Sequence, residues 1–374
     1  VCSSDLGASR AILPMAAINK KGSPKMTYYI GIDAHSTTST AVVVKENGQQ
    51  VLRETFDTTE ANFQRFLAKI DGRKELTFEE SSLSQWLYLV LKPEVDRLVV
   101  CNPVFLAKKQ GAKTDYRDAL HLAQELRGNH LKPVHHEDSK WMELRALVNS
   151  YSDLIDGIVA TKNRLKALFR SCGLDTHKSD FYSNKEQIKE LPNEVLRFVA
   201  ESYFSQMEAL EEQKRGYSVY FQKNKQRYRP IQNLCTIPGV REVRANIIAA
   251  VVCTPHRFAS KHQFWGYCML VRHIQMSGGK IYGNRRVHGR KELRDVFIGA
   301  AENAIRGETS LRDYYDALRA RGIAHKEAKL ALARKIAALS LAILKNNDTF
   351  HDDYENQQRE RTAIRKTLNK TATI

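Results

Sequence analysis

Between Thr27 and Cys101 the chain sets out one order of elements: strands in hairpin succession, then helix, strand, helix, strand. Tyr28-Tyr29-Ile30-Gly31-Ile32-Asp33 is a short apolar run ending in an acid, and Thr40-Ala41-Val42-Val43-Val44 is rich in β-branched residues, whose stiff side chains suit a pleated surface. Asn47-Gly48 tolerates the positive φ angles of a tight hairpin turn, and Val51 to Phe56 alternates as a third strand. From Glu60 to Ile70, residues Phe63, Phe66, Leu67 and Ile70 share one helical face. Leu76-Thr77-Phe78-Glu79 is a fourth strand, Trp86 to Leu91 a helix stopped by Pro93, and Arg97 to Cys101 a fifth strand closed by Asn102-Pro103.

That order predicts an α/β, ribonuclease H-like sheet. In such a sheet the ends of the first and fourth strands are neighbours, and the next helix, Thr114 to Leu126, packs over them. Acids occupy these places: Asp33, Glu79, and the pair Asp115 and Asp118, whose i, i+3 spacing puts both on one helix face. Singly, each reads equally well as a turn residue or a solvated acid. Together they form a cluster that repels itself unless cations neutralise it. Two Mg²⁺ ions about 4 Å apart would do so, and would activate a nucleophile and stabilise a leaving oxygen in phosphoryl transfer. Glu80 rivals Glu79, but strand alternation sends the two to opposite faces and only one reaches the site.

The net charge is +17, from 59 Lys and Arg against 42 Asp and Glu. Such an excess points to a polyanionic partner. A hydrophobic fraction of 42% in 374 residues excludes wholesale disorder and allows two or three domains. No apolar run has the length of a membrane helix. The cysteines lack paired zinc spacing and are too sparse for a disulfide framework, so they read as reduced thiols of a cytoplasmic protein.

Residues 1–25 lack periodicity and read as a non-native or disordered leader before Met26. The catalytic domain spans 26–136. A helical, coiled-coil domain follows over 137–228. Its first helix runs from Asp138 to about Ser171 with near-heptad apolar spacing from Trp141 to Phe169, and its second from about Pro192 to Lys223. That seam fits either an intramolecular hairpin or an oligomer interface. The segment 229–350 forms a mainly α C-terminal domain, and 351–374 is a polar tail.

In the C-terminal domain, Leu234 to Gly239 followed by Val243 to Val252 resembles a helix-hairpin-helix, whose helix N-terminus can face a phosphate. Gly239 would allow close backbone approach there, while Arg241 either obstructs that approach or adds a phosphate contact. Ser277-Gly278-Gly279-Lys280 has two readings. One is a tight turn whose amides hold a phosphate with Lys280 as counter-charge. The other is a nucleophilic serine beside cations that stabilise the transition state. Arg285, Arg286, His288, Arg290, Lys291 and Arg294 concentrate positive charge just downstream. The remaining helices run from Leu293 to Ala304 and from Lys326 to Lys345.

Gly31-Ile32-Asp33-Ala34-His35, Phe78-Glu79-Glu80-Ser81 and Lys113-Thr114-Asp115-Tyr116-Arg117-Asp118-Ala119 resemble the DEDD motifs of the insertion sequence 110 family of transposases. Thr236-Ile237-Pro238-Gly239-Val240, Phe264-Trp265-Gly266-Tyr267, Ser277-Gly278-Gly279-Lys280 and Gly289-Arg290-Lys291-Glu292-Leu293-Arg294 resemble that family's C-terminal signatures, in the same order. The resemblance runs from about Met26 to Tyr354. It implies the RuvC-like form of the ribonuclease H-like sheet, and a DNA transposase or recombinase guided by a bridge non-coding RNA that pairs with donor and target DNA. It further implies Mg²⁺ on Asp33, Glu79, Asp115 and Asp118, and attack by Ser277 to give a covalent serine–DNA intermediate. Dimers would assemble into a tetramer, with the acids and serine of one active site drawn from different protomers, in a bacterial or archaeal cytoplasm at the nucleoid. This chain departs from the family's usual pattern at Glu79-Glu80-Ser81-Ser82 and at Arg241.

Other readings of the same residues are a RuvC-like nuclease or junction resolvase that uses water, a sugar kinase or actin-like ATPase, and a basic helix-hairpin-helix binding module. The kinase reading lacks a second phosphate loop, and the binding module leaves four ordered acids without a role.

Overall fold

The computed structural model describes residues 26–106, 114–137 and 140–353. The leader 1–25, Lys113 of the third acidic motif and the tail beyond 353 lie outside the described residues. The chain divides into two compact units, with the boundary between Asp138 and Ser139.

In the first unit, β1 (Thr27–Ala34), β2 (Thr38–Lys45) and β3 (Gln50–Asp57) form an antiparallel meander, followed by α1 (Glu60–Ala68), β4 (Arg73–Glu79), α2 (Ser84–Leu91), β5 (Arg97–Cys101) and α3 (Asp115–Arg127). The sheet order is β3-β2-β1-β4-β5, with β4 parallel to both β1 and β5. Strands one and four are therefore neighbours, as the sequence order predicts.

Alternation along the strands sorts the core onto two faces. Ile30, Ile32, Ala41, Val43, Leu76, Phe78 and Val100 pack with Phe63, Phe66 and Leu67 of α1 and Leu87 and Leu91 of α2. On the opposite face, Val42 and Val44 pack with Ala119 and Ala123 of α3, beside Tyr29, Tyr116 and Leu120. Gly31 lies on this second face. A β-carbon there would stand 2.1 Å from the Ala119 carbonyl oxygen and 2.5 Å from the Ala123 nitrogen. The helix backbone rests directly on β1, and only glycine permits that.

The second unit opens with two long helices, α4 (Lys140–Ser171) and α5 (Glu194–Arg227), which run antiparallel. At 1.5 Å per residue each is roughly 50 Å long. Toward the end of α4, Leu165 and Phe169 pack with Ala200, Phe204 and Met207 of α5 and with Phe181, Ile188 and Leu191 of the connection. At the other end, Leu144, Val148 and Phe221 join the core of the C-terminal helices. The near-heptad seam is thus occupied within the chain, and segments 137–228 and 229–350 share a core.

That core is completed by α6 (Arg229–Leu234), α7 (Glu242–Val252), α8 (Lys261–Tyr267), α9 (Lys291–Ala304), α10 (Ser310–Ala320) and α11 (His325–Asn346). Between α8 and α9 stands a two-stranded antiparallel hairpin, β6 (Arg272–Ser277) and β7 (Lys280–Arg286). Two elements depart from the sequence reading. Helix α10 is absent from it, yet Leu311, Tyr315 and Leu318 are buried at i, i+4 and i+7, the mark of a short one-faced helix. The hairpin extends the Gly-Gly turn into paired strands through a stretch that reads only as basic. No described helix is long and apolar enough to cross a membrane.

Gly31→Val is expected to lift α3 from β1. Overpacking at a backbone contact costs at least about 2 kcal/mol, so the first unit should melt several degrees lower in thermal unfolding followed by circular dichroism.

Candidate functional site

Parity on the sheet decides which acids meet. Asp33 and Glu79 follow one residue beyond Ile32 and Phe78, the last register pair of β1 and β4. Ile32 and Phe78 point toward α1 and α2, so Asp33 and Glu79 point toward α3. Adjacent strands lie about 4.8 Å apart, which sets these two residues side by side at the carboxyl ends of β1 and β4. The cross-strand partner of Asp33 on β2 is Thr40, a buried residue whose hydroxyl is 2.9 Å from that of Thr55.

Asp115 and Asp118 lie in the first turn of α3. Thr114 caps that turn by accepting a hydrogen bond from the Arg117 amide. The unpaired amides of a helix N-terminus favour negative charge there, so the fold accommodates both acids before any cation arrives. Among the described residues, a group of three atoms able to hold a metal joins Asp33 and Asp115 to His35, all within 4.8 Å of one another. Glu79 and Asp118 stand outside this group. His35 carries no role in the sequence reading. Its signal was the i, i+2 spacing from Asp33 at the end of a strand, which returns a side chain to the same face.

Glu80 takes the other direction. His136 Nε2 lies 2.7 Å from its carboxylate, and His136 Nδ1 lies 3.0 Å from Gln85 Oε1 on α2. The Gln85 amide nitrogen donates to the Glu137 carbonyl, which turns its oxygen toward the imidazole. Cys101 is in register with Glu79 across β4 and β5. Burial pushes its thiol up to about 12, with the Glu79 charge adding to the effect. The thiol therefore stays protonated beside the carboxylates.

In the second unit, Ser277 and Lys280 are the pair that closes the hairpin. Gly278 and Gly279 between them have φ of +55° and +76°, the double positive φ of a type I′ turn. Ser277 is exposed at the tip. Ile274, Met276, Ile281 and Tyr282 are each more than half exposed on the same ribbon, among Arg272, Lys280 and Arg285. Arg286 ends β7, opposite Arg272 in the register.

The base of the hairpin is fixed by backbone contacts. A β-carbon on Gly289 would meet the Tyr267 carbonyl oxygen at 2.3 Å, and the Arg290 amide donates to that same oxygen. The Trp265 indole donates to the Arg334 carbonyl, and Arg334 Nε donates back to the Leu270 carbonyl. The Phe264-Trp265-Gly266-Tyr267 and Gly289-Arg290 signatures thus seat the hairpin between α8, α9 and α11.

Arg290 Nε is buried and has no hydrogen-bond partner among the described residues. Lys291 is paired with Asp295 at 2.8 Å, and that hydrogen bond raises its pKa. Arg294 lines a cavity of about 520 Å³ at the foot of the hairpin, where Arg272, His325, Lys326 and Lys329 stand among apolar residues such as Leu270, Val287, Ile298 and Leu330. Gly239 has φ +83°, and a β-carbon there would meet the Ala300 carbonyl oxygen at 2.2 Å. Packing against α9 accounts for this glycine. Arg241, just before α7, is exposed.

A family profile described as a DEDD transposase of the IS110 type matches residues 30–174. A second, described as the transposase IS116/IS110/IS902 family, matches residues 231–316. Among individual proteins, the chain is 23% identical over 351 residues to "Putative transposase y4qE" of Sinorhizobium fredii, covering 84% of this chain and 88% of that one. It is 27% identical over 159 residues to the insertion element IS110 43.6 kDa protein of Streptomyces coelicolor, covering 42% of this chain and 39% of that protein. It is 31% identical over 129 residues to the insertion element IS900 42 kDa protein of Mycobacterium paratuberculosis, covering 33% of this chain and 32% of that one.

Thr114→Ala removes the cap of the turn that carries Asp115 and Asp118. It should cost about 1 kcal/mol, read as a lower denaturation midpoint of the first unit. Divalent-cation binding, measured by calorimetry, should weaken in parallel.

Proposed function

The chain belongs to the IS110 family of transposases, and on that premise we propose that it cuts and rejoins DNA through a covalent serine–DNA intermediate. The observation that carries this reading is the position of Ser277: exposed, at the closing pair of a Gly-Gly turn, with Lys280 directly across. The glycines leave open space around the turn, so a phosphodiester can approach the hydroxyl. Ser277 Oγ attacks the scissile phosphorus as the bond to the leaving sugar oxygen breaks. Lys280 and Arg285 balance the charge that develops on the phosphoryl oxygens, and Arg290 and Arg294 hold the flanking backbone.

Asp33, Glu79, Asp115 and Asp118 would hold Mg²⁺, two ions in the full site. The donor set fits: all four acids belong to one face of the sheet or the helix turn above it, and the atoms of Asp33 and Asp115 already lie within ligand spacing. Bound Mg²⁺ would supply charge neutralisation and polarisation of the phosphate. His136 engages Glu80, which supports Glu79 as the ligand from this strand end.

The basic surface serves donor and target DNA and a bridge non-coding RNA that chooses the sites, so sequence choice lies in base pairing rather than in side chains. Dimers assemble into a tetramer in which the acids of one protomer act with the serine of another. Exposed Val195 and Phe198, one turn apart on α5, support such an assembly. The alternative is a metal-dependent nuclease in which water attacks and Ser277 only positions phosphate.

Ser277→Ala should abolish an SDS-stable protein–DNA adduct and lower strand exchange by about a thousandfold or more. A variant that recombines at the normal rate removes the serine from the mechanism, and cleavage without any adduct favours the water-using nuclease. In DNA binding by fluorescence anisotropy, Lys280→Ala and Arg285→Ala should each lower the slope of log K against log salt by about 1.

A further inference from the structure

We propose that His35 is a nitrogen ligand to the divalent cation held by Asp33 and Asp115, so that this position takes a transition-metal dication such as Mn²⁺ ahead of Mg²⁺. The inference rests on the acidic-cluster reading above and adds to it a residue and a metal preference.

His35 follows β1 by one residue, and alternation returns its side chain to the face of Asp33. Its backbone is fixed on both sides: the amide donates to the Thr38 carbonyl at 3.0 Å, and the carbonyl accepts from the Thr58 hydroxyl at 2.8 Å. The imidazole Nε2 then lies 3.5 Å from Asp33 Oδ2 and 3.7 Å from Asp115 Oδ1. Both distances are longer than the usual 2.7–3.2 Å of an N–H···O bond and fall in the range of a loose ion pair.

The spacing suits an ion between them. With metal–ligand bonds near 2.1 Å, adjacent ligand atoms stand about 3.0 Å apart around an octahedral ion and about 3.4 Å apart around a tetrahedral one, with octahedral diagonals of about 4.2 Å. The three atoms, all within 4.8 Å of one another, need only small side-chain rotations to close on that geometry. The side chains of His35 and Asp115 are 55% and 58% exposed, so a hydrated cation has a way in. Mg²⁺ prefers oxygen ligands and keeps its water, whereas imidazole raises the affinity of Mn²⁺ and later first-row ions. Replacing one oxygen donor with His35 therefore shifts preference rather than merely adding affinity.

The test uses the full metal-free chain with Mn²⁺ as probe and Mg²⁺ as competitor, comparing wild type, His35→Ala and Asp33→Asn. Pulsed electron paramagnetic resonance of bound Mn²⁺ should show modulation from a directly bonded ¹⁴N in the wild type and none in His35→Ala. That variant should also lose at least about tenfold in Mn²⁺ affinity while its Mg²⁺ affinity changes less than about threefold. A ¹⁴N signal that is absent from the wild type, or that survives in His35→Ala, overturns the inference while Asp33→Asn still abolishes binding and upholds the acidic cluster. Mn²⁺ binding that Asp33→Asn leaves intact, or no binding in any form, overturns the cluster reading and this inference together. The wild-type spectrum needs no variant to fold.

Discussion

Helix α3 lies so close on β1 that one added carbon at position 31 would overlap the carbonyl oxygen of Ala119. The rest of the first unit's chemistry depends on that contact. It fixes the height of α3 above the sheet, and with it the place of Asp115 and Asp118 over the carboxyl ends of β1 and β4. Ala119, which touches the sheet, lies about one turn from Asp115, and Ala123 about two, so little slack accumulates between the contact and the acids. Asp33 and Asp115 come together because backbone packing holds them there, against their mutual repulsion. Capping by Thr114 and the helix amides offset part of that repulsion.

The hairpin of the second unit is placed by a similar device. A glycine at position 289 lets the chain press on the last turn of α8, and reciprocal bonds between Trp265, Arg334 and Leu270 tie α8 to α11. In both units the candidate side chain stands at the end of a strand, Asp33 in β1 and Ser277 in β6, and a glycine in close contact with helix backbone, Gly31 or Gly289, sets where that strand or hairpin lies.

The first unit was legible because its strands are short apolar runs, buried on both faces and bounded by turn residues, so that parity from Ile30 and Ile32 assigns Asp33 to the other face. Glu79 and Glu80 could be separated by parity alone. The engagement of Glu80 by His136 could not, since it joins residues 56 positions apart. Nor could the role of Gly239, which reads as room for a phosphate yet lies against the backbone of α9. The hairpin from Arg272 to Arg286 escaped because both its faces meet solvent, which removes the contrast of apolar and polar positions that marks a strand. In α4, apolar periodicity recorded burial correctly, but periodicity does not say whether the covering residues come from another chain; here Phe204, Met207 and Phe221 of α5 supply them.

A two-stranded ribbon has two open edges, each a row of backbone donors and acceptors ready to take on another strand. On this one the apolar residues Ile274, Met276, Ile281 and Tyr282 add to that tendency, and the cations Arg272, Lys280 and Arg285 oppose it, because two such ribbons repel before they can pair. The charge that suits a polyanion thus also opposes pairing between two such ribbons. A polyanion laid over those cations would lift that opposition and leave the open edges and apolar side chains of the ribbon as what a second strand would meet.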